Sequence, residues 1–347
     1  MARERIVSGD EQPEDRYSGA ADFNPALRPR KLNEYIGQPE LIERIRIAVE
    51  AAKKRSEPME HVLLSGPPGL GKTTLAHIIA DEMNGSPPKI TSGPALVRPA
   101  DLVGILTNLK KGDVLFIDEI HRMSHVIEEY LYPAMENFQI DVVMDSGAHA
   151  QVMNIPVSPF TLIGATTRTG LISGPMRSRF GVAHHLEFYS ANDLLKILQR
   201  SAELLKLPAE TSALFQIANR SRGTPRVANR LLRRVRDFAV VRSHGKLTPD
   251  VLDQALALEG IDHLGLDPLD RRFLSIMARD YEGGPVGVDA MAATMGEERD
   301  TLEDVVEPFL LQVGFIRRTP KGRQLTSAAY QHLGLDKPAG REDTSLF

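Results

Sequence analysis

Apolar and polar positions fall into three regimes along the chain. In the first, short apolar runs alternate with helical patterning: Val62-Leu63-Leu64, Val114-Leu115-Phe116-Ile117 and Phe160-Thr161-Leu162-Ile163-Gly164-Ala165, with a further short strand expected at Lys89-Ile90. Runs with no polar alternation predict strands buried on both faces, as in a parallel sheet covered by helices. The helices between them show as spaced apolar positions, Leu41, Ile45 and Val49 in one and Leu75, Ile78 and Ile79 in another. Residues 138–157 break this rhythm with partial alternation around Ser146-Gly147, which predicts a β-hairpin carrying Ile140, Val142 and Met144 on one side. Two readings stand for that face: packing on its own domain, or an apolar prong that docks a partner.

After Tyr189 the pattern is all-helical, with Leu194, Leu198 and Ala202, then Leu214 and Ile217, then Val227, Leu231, Val235 and Phe238. Thr224-Pro225 and Thr248-Pro249 read as helix starts, a capping hydroxyl followed by proline in the first turn. The third regime begins near residue 262. It predicts a helix over 267–280, a short strand at Pro285-Val286-Gly287-Val288, two more helices, and a hairpin whose turn holds Pro320 and Gly322. That order resembles a winged helix. The expected organisation is a flexible arm (1–24), an α/β domain with a parallel sheet (25–189), a small all-helical domain (190–261) and a winged-helix domain (262–347).

Candidate chemistry concentrates at the ends of the predicted strands. Ser65-Gly66-Pro67-Pro68-Gly69-Leu70-Gly71-Lys72-Thr73-Thr74 joins a strand to a helix, the setting of a phosphate-binding loop. Gly66, Gly69 and Gly71 permit the backbone to approach phosphate oxygens, and the helix N-terminus adds its dipole. Lys72 would reach the β- and γ-phosphates and the Thr73 hydroxyl would ligate Mg²⁺. The run at 114–117 ends in Asp118-Glu119, where Asp118 can hold the metal and Glu119 can orient and deprotonate a water. Thr166 and Thr167 end the next strand, placed to sense the γ-phosphate. Arg179 at a surface turn is either a solvated charge or a guanidinium for a neighbouring subunit's site. Upstream, the proline-stiffened strip with Leu27, Arg28, Tyr35 and Ile36 is either a wall for the adenine or an ordinary packed entry segment. Arg226, at a helix tip, could reach a nucleotide held by the first domain.

Composition narrows the class. With 42 basic and 46 acidic residues among 347, the net charge is −4, so nucleic acid would be met by local patches. Residues 262–347 are themselves acidic, yet Arg317, Arg318, Lys321 and Arg323 cluster on the hairpin, with Arg299 at a helix start. Such a cluster would contact DNA phosphates, or form a merely solvated wing. No apolar run approaches membrane-spanning length and no signal peptide is expected. The absence of cysteine fits a reducing cytoplasm.

Gly66 to Thr74, Leu115-Phe116-Ile117-Asp118-Glu119-Ile120-His121-Arg122, Gly164-Ala165-Thr166-Thr167-Arg168, Arg179-Phe180-Gly181 and Gly223-Thr224-Pro225-Arg226 together resemble the AAA+ ATPases. With Leu27-Arg28-Pro29, Glu34-Tyr35-Ile36-Gly37-Gln38, Arg299-Asp300-Thr301-Leu302-Glu303 and Gly322-Arg323, the chain is similar to the RuvB family from about residue 24 to 335. The resemblance implies a cytoplasmic, hexameric, ATP- and Mg²⁺-dependent motor that pumps duplex DNA at Holliday junctions, with RuvA and RuvC as partners. It carries nucleotide contact onto Leu27, Arg28, Gly69, Lys72, Thr73, Thr74, Tyr189 and Arg226, with Arg179 acting in trans. Glu136-Asn137-Phe138 matches a further nucleotide-contact segment, with Asn137 where an aspartate is expected. DNA contact falls on Arg299, Arg318 and Arg323, and RuvA contact on the hairpin.

Two other classes compete. A protein unfoldase needs an aromatic-aliphatic pore loop, where this chain has Gly93-Pro94-Ala95-Leu96. A non-translocating switch, such as an origin-binding initiator or clamp loader, shares the ATPase motifs, so the hairpin is the better discriminator.

Overall fold

The apolar runs become the strands they predict. A computed structural model describes residues 27–143 and 152–337; the expected arm and Met144 lie outside them. Along the chain come β1 (Val62–Ser65), β2 (Lys89–Ser92), β3 (Val114–Asp118), the hairpin strands β4 (Gln139–Val143) and β5 (Val152–Pro156), then β6 (Thr161–Thr166) and β7 (Val182–His185). Five of these form one parallel sheet in the order β2-β3-β6-β1-β7. The unbroken apolar runs take the central places: β1 and β6 are buried along their whole length, and β3 up to its last residue. β7 is not anticipated by the sequence reading. As an edge strand its residues alternate between half-buried and exposed, and Val-Ala-His-His carries little apolar signal.

The strands are joined by α1 (Pro39–Arg55, ahead of β1), α2 (Lys72–Asn84), α3 (Pro99–Thr107) and α4 (His125–Asn137). His61 ties three pieces together at the sheet's lower end. Its Nδ1 accepts from the Leu162 N–H (2.9 Å) and its Nε2 lies 3.1 Å from the Met135 carbonyl. Burial holds its pKa below the usual histidine value, which matches a neutral ring donating from Nε2.

The hairpin departs from the expectation of an apolar prong without a core. Ile140 is fully buried in the cluster formed with Leu131, Ala134 and Phe160, and Val142 and Ile155 pack partly against it. Ile140 therefore serves its own domain and offers no surface to a partner. What the hairpin exposes is the other part of the ladder: Met153, paired in register with Val142, is 44% exposed.

The chain divides into two compact units between Tyr189 and Ser190. In the second unit, α5 (Ala191–Leu204), α6 (Thr211–Asn219), α7 (Pro225–Arg242) and α8 (Pro249–Leu258) make a helical bundle. Ser190, Thr224 and Thr248 cap α5, α7 and α8 through their hydroxyls, as the Thr-Pro pairs predict. The winged helix follows with α9 (Pro268–Asp280) and α10 (Val288–Met295). A continuous helix α11 then runs as Arg299–Thr301, a π-helical turn Leu302–Val306, and Glu307–Gln312. Pro308 lacks the N–H an α-helix would use there, and the wider turn precedes it. The wing is β8 (Ile316–Thr319) paired with β9 (Gly322–Leu325), and α12 (Ser327–Leu333) closes the unit. The strand expected at 285–288 reduces to a single bridge from Val286 to Arg323.

Arg222 joins the bundle to the winged helix. Its Nη2 reaches Asp267 (2.7 Å) and Asp270 (2.6 Å), its Nε donates to the Gly265 carbonyl (3.1 Å), and its guanidinium lies 5.0 Å over the Phe309 ring. Both acids belong to the capping box at the start of α9. Asp270 is fully buried and its Oδ1 has no hydrogen-bond partner, so burial pushes its carboxyl up to about 7 despite Arg222. A carboxyl raised in the folded state binds its proton more tightly there than in the unfolded chain. Its contribution to stability is complete below the ordinary value of 3.8 and is lost as pH rises through about 7. Amide exchange at α9, followed from pH 5 to 8 in the full chain, should therefore quicken with pH more than the chemical rate explains. Asp270→Asn should flatten that excess, and an unchanged pH dependence in the variant would contradict the assignment.

Candidate active site

The register of the central strands brings the chemical groups to one edge. Ser65 pairs with Thr166, and Ile117 with Gly164, so the phosphate loop, Asp118-Glu119 and Thr167 all leave the sheet at its carboxyl end. Gly66 donates its N–H to the Thr166 carbonyl (3.1 Å) at φ 131°, and a Cβ there would lie 2.6 Å from the Leu186 carbonyl oxygen. No other residue type fits that pinch. Gly69 and Gly71 also have positive φ, and Gly71 brings no side chain to the start of α2. The first-turn N–H groups of α2 are thus left facing a ligand position, as anion binding requires. Lys72 is buried, its ammonium donating to the carbonyls of Gly66 (2.7 Å) and Pro67 (2.9 Å).

Across the edge, Asp118 ends β3 half-buried and accepts the Glu119 N–H (3.0 Å). Glu119 has a left-handed backbone, φ 45°, a conformation that costs a non-glycine residue about 1–2 kcal/mol. Strain of that kind concentrates at functional sites. It is held by the Gly93 loop, where a Cβ would fall 2.4 Å from the Glu119 carbonyl oxygen. The Glu119 carboxylate meets two side chains: the Thr167 hydroxyl donates to it (3.4 Å), and His121 Nδ1 lies 3.3 Å away. The same His121 nitrogen is 2.9 Å from the Thr166 hydroxyl. His121 was not singled out from the sequence. Its place three residues after Asp118 was the available signal, since a 3-10 turn there folds the side chain back onto the acid.

The entry strip lies against the loop. Tyr35 and Tyr189 both direct their hydroxyls to the Leu70 carbonyl (3.3 Å each), and the two oxygens are 2.8 Å apart. Burial, with Tyr189 beside it, raises the Tyr35 pKa well above the usual tyrosine value, so this hydroxyl stays protonated. Gln38 donates to the Glu187 carbonyl (2.7 Å), Leu27 is buried and Ile36 half-buried. Arg28 sits near His77 on α2; burial first, then the Arg28 charge, lowers the His77 pKa. Strip, loop and Tyr189 thus form one wall, the geometry that an adenine pocket needs.

Arg179 and Glu136 come together at another surface of this unit. Arg179 Nη2 pairs with Glu136 (3.0 Å), Nη1 donates to the Pro175 carbonyl (2.6 Å), and the guanidinium stacks 4.1 Å over Tyr132. Its Nε is buried with no acceptor, so the side chain is not fully satisfied where it rests. Asn137 is exposed at the end of α4, whereas Phe138 packs edge-on against Phe160 in the core. Arg226 is exposed in the first turn of α7, in the other compact unit. On the winged helix, Arg299 and Arg318 are exposed, while Arg323 is mostly covered and paired with Glu303 and Glu307.

Among the described residues no group of three His, Asp or Glu side chains could cage a metal. Thr73 and Asp118 offer two hard oxygens at the sheet edge, which suits Mg²⁺, an ion that keeps most of its water. No helix among them is long and apolar enough to cross a membrane.

This arrangement separates binding from hydrolysis. Lys72→Ala should abolish nucleotide binding, since the loop loses its cation. Glu119→Gln should leave ATP affinity within about threefold of the parent while hydrolysis falls at least ~10²-fold, in line with the loss of a general base. Equal loss of ATP affinity in both variants, measured by equilibrium titration, would contradict these roles.

The P-loop domain model of the Holliday junction DNA helicase RuvB matches residues 27–186, the RuvB AAA lid domain residues 189–262, and the RuvB C-terminal winged helix domain residues 263–334. The solved Thermotoga maritima RuvB Holliday junction branch migration motor is 49% identical, covers 90% of this chain and all of its own (100%), and superposes with a TM-score of 0.83. A lysine-to-arginine mutant of the same Thermotoga protein is 49% identical over 90% of this chain and 99% of its own, with a TM-score of 0.84. With three consecutive domains matched and nearly half the residues shared with these structures, the chain belongs to the RuvB family of Holliday junction DNA helicases.

Proposed function

We propose that the chain is the ATP-hydrolysing motor of Holliday junction branch migration, working in the cytoplasm as a ring of six copies that draws duplex DNA through the junction. The observation that carries this reading is the convergence of the phosphate loop, Asp118, Glu119 and Thr167 on one sheet edge, in a chain that also has a helical bundle and a winged helix. The parts act as an ATPase domain (25–189), a lid (190–261) and a DNA-binding head (262–347).

Bound Mg²⁺ would supply charge to the phosphates from a position between Thr73 and Asp118. The chain's own groups do the rest. Gly69, Gly71, Lys72 and Thr74 hold the phosphates; Leu27, Arg28, Tyr35, Ile36 and Tyr189 enclose the base and sugar; the family resemblance assigns Arg226 to the nucleotide as well. Glu119 takes a proton from the attacking water, and Thr167, hydrogen-bonded to that carboxylate, keeps it aimed. Arg179, with Glu136 and Asn137 beside it, faces the neighbouring subunit's nucleotide. Its ion pair with Glu136 is partly exposed (20% and 51%), and such pairs are worth only about 0–1 kcal/mol, so a phosphate can displace the carboxylate. RuvA docks on the hairpin, a role we assign to Val142 and Met144, and RuvC joins when the junction is resolved. Burial of Ile140 makes that residue a support for the docking face.

The trans role of Arg179 has a direct test. Arg179→Ala should bind ATP almost normally and hydrolyse it slowly, because arginine fingers contribute ~10³–10⁵ in rate. Mixed with Lys72→Ala under conditions of subunit exchange, it should regain hydrolysis at interfaces that combine an intact loop with an intact finger. Mixed rings that form yet show no rescue at any ratio would overturn the trans assignment.

A further inference from the structure

Arg299, Arg318 and Arg323 stand on different pieces of the winged helix, at the start of α11 and on facing positions of the wing, yet one run of ion pairs joins them. Arg299 reaches Asp289 (3.4 Å) and Glu303 (3.3 Å). Glu303 Oε1 also accepts from Arg323 Nη2 (3.0 Å), and Arg323 Nε donates to Glu307 Oε1 (2.6 Å). The second oxygen of Glu307 takes both Nε (3.0 Å) and Nη2 (2.7 Å) of Arg318. Exposure divides this run sharply. The side chains of Arg299 and Arg318 are 55% and 56% exposed, whereas those of Arg323, Glu303 and Glu307 are at 14%, 15% and 0%.

A buried carboxylate with each oxygen given to a different arginine is an anchor, since its desolvation is repaid only if both guanidinium groups stay in place. Its backbone adds to this. Glu303 lies within the π-helical turn of α11 and Glu307 directly follows it, and turns of that kind often mark functional positions in helices. Arg318 keeps one edge of its guanidinium in solvent while Glu307 holds the other, and Arg299 is tethered in the same way by Glu303.

We propose that Glu307 is a positioning residue, an internal strut that holds Arg318 and Arg323 of the wing toward the DNA backbone, as Glu303 holds Arg299. This rests on the reading of the winged helix as the DNA-binding head. It assigns Glu307, an acid, a favourable role in binding a polyanion, which simple charge counting opposes.

The test is the salt dependence of full-length protein binding to a plain duplex, for the parent, Arg318→Ala, Glu307→Gln and Arg323→Lys, with circular dichroism melts to verify folding. Arg318→Ala should lower the slope of log affinity against log salt by about 0.9, the value of one phosphate contact. Glu307→Gln should weaken binding and lower the slope by a similar amount, although it removes a negative charge. Arg323→Lys keeps its charge but replaces the planar fork that serves Glu303 and Glu307 from two different nitrogens with a single ammonium, and should behave like Glu307→Gln. Tighter binding by Glu307→Gln, or an unchanged slope for Arg323→Lys, would overturn the strut. If Glu307→Gln does not fold, Glu303→Gln decides the question in its place, with weaker binding expected and tighter binding contradicting. Failure of the underlying reading looks different: Arg318→Ala would then bind duplex as the parent does.

Discussion

The backbone of Gly66 is pinned between two others. Its N–H is donated to Thr166 at the end of β6, and its α-carbon lies so near the Leu186 carbonyl that a methyl group could not be added. The next link runs the other way, with the Leu186 N–H donated to Ser65 (2.8 Å). The phosphate loop is therefore held at once to the strand that supplies Thr167 and to the segment that leads through Tyr189 into the second unit. Lys72, Thr73 and the first turn of α2 inherit their places from this pinch. The Leu70 carbonyl, further along the loop, meets the two tyrosine hydroxyls, so a change in the loop is felt by the last residue of its unit.

A second set of constraints belongs to the other unit. Arg222 binds both acids of the α9 capping box, and the run of ion pairs from Asp289 to Arg318 binds α11 to the wing. Buried ion pairs contribute little net stability, but breaking one by removing a partner is costly, because a charge is left in a poorly solvating place. Their effect is geometric. They make bundle and winged helix follow one another, so that displacement of the bundle would be passed to the arginines of the winged helix with little loss.

Much of the catalytic edge was legible in the sequence, because unbroken apolar runs ending in polar residues leave few alternatives to a parallel sheet. Lys72, Asp118, Glu119 and Thr167 do share one edge. The left-handed backbone at Glu119 was not legible, since the Gly93 loop packed against it belongs to a different strand connection. The two readings of Ile140 could not be separated for a related reason. The helix residues and Phe160 that cover it lie on other elements, and local alternation carries no record of them. Acids on a helix ordinarily read as a solvated face, so Glu307 gave no sign of being the most buried group on the wing's ion-pair run. Arg222, in a Ser-Arg-Gly-Thr turn, reads as a loop residue until Asp267 and Asp270 are seen beside it.

In the function proposed above, ATP turnover at this edge moves DNA. The most direct measurement is dissociation of a synthetic four-way junction by the full-length protein with RuvA, followed by gel alongside phosphate release. Strand separation should proceed with ATP, stop with a non-hydrolysable analogue, and scale with the phosphate released. Junction-stimulated ATP turnover without any strand movement would rule out a motor and make the protein a nucleotide switch.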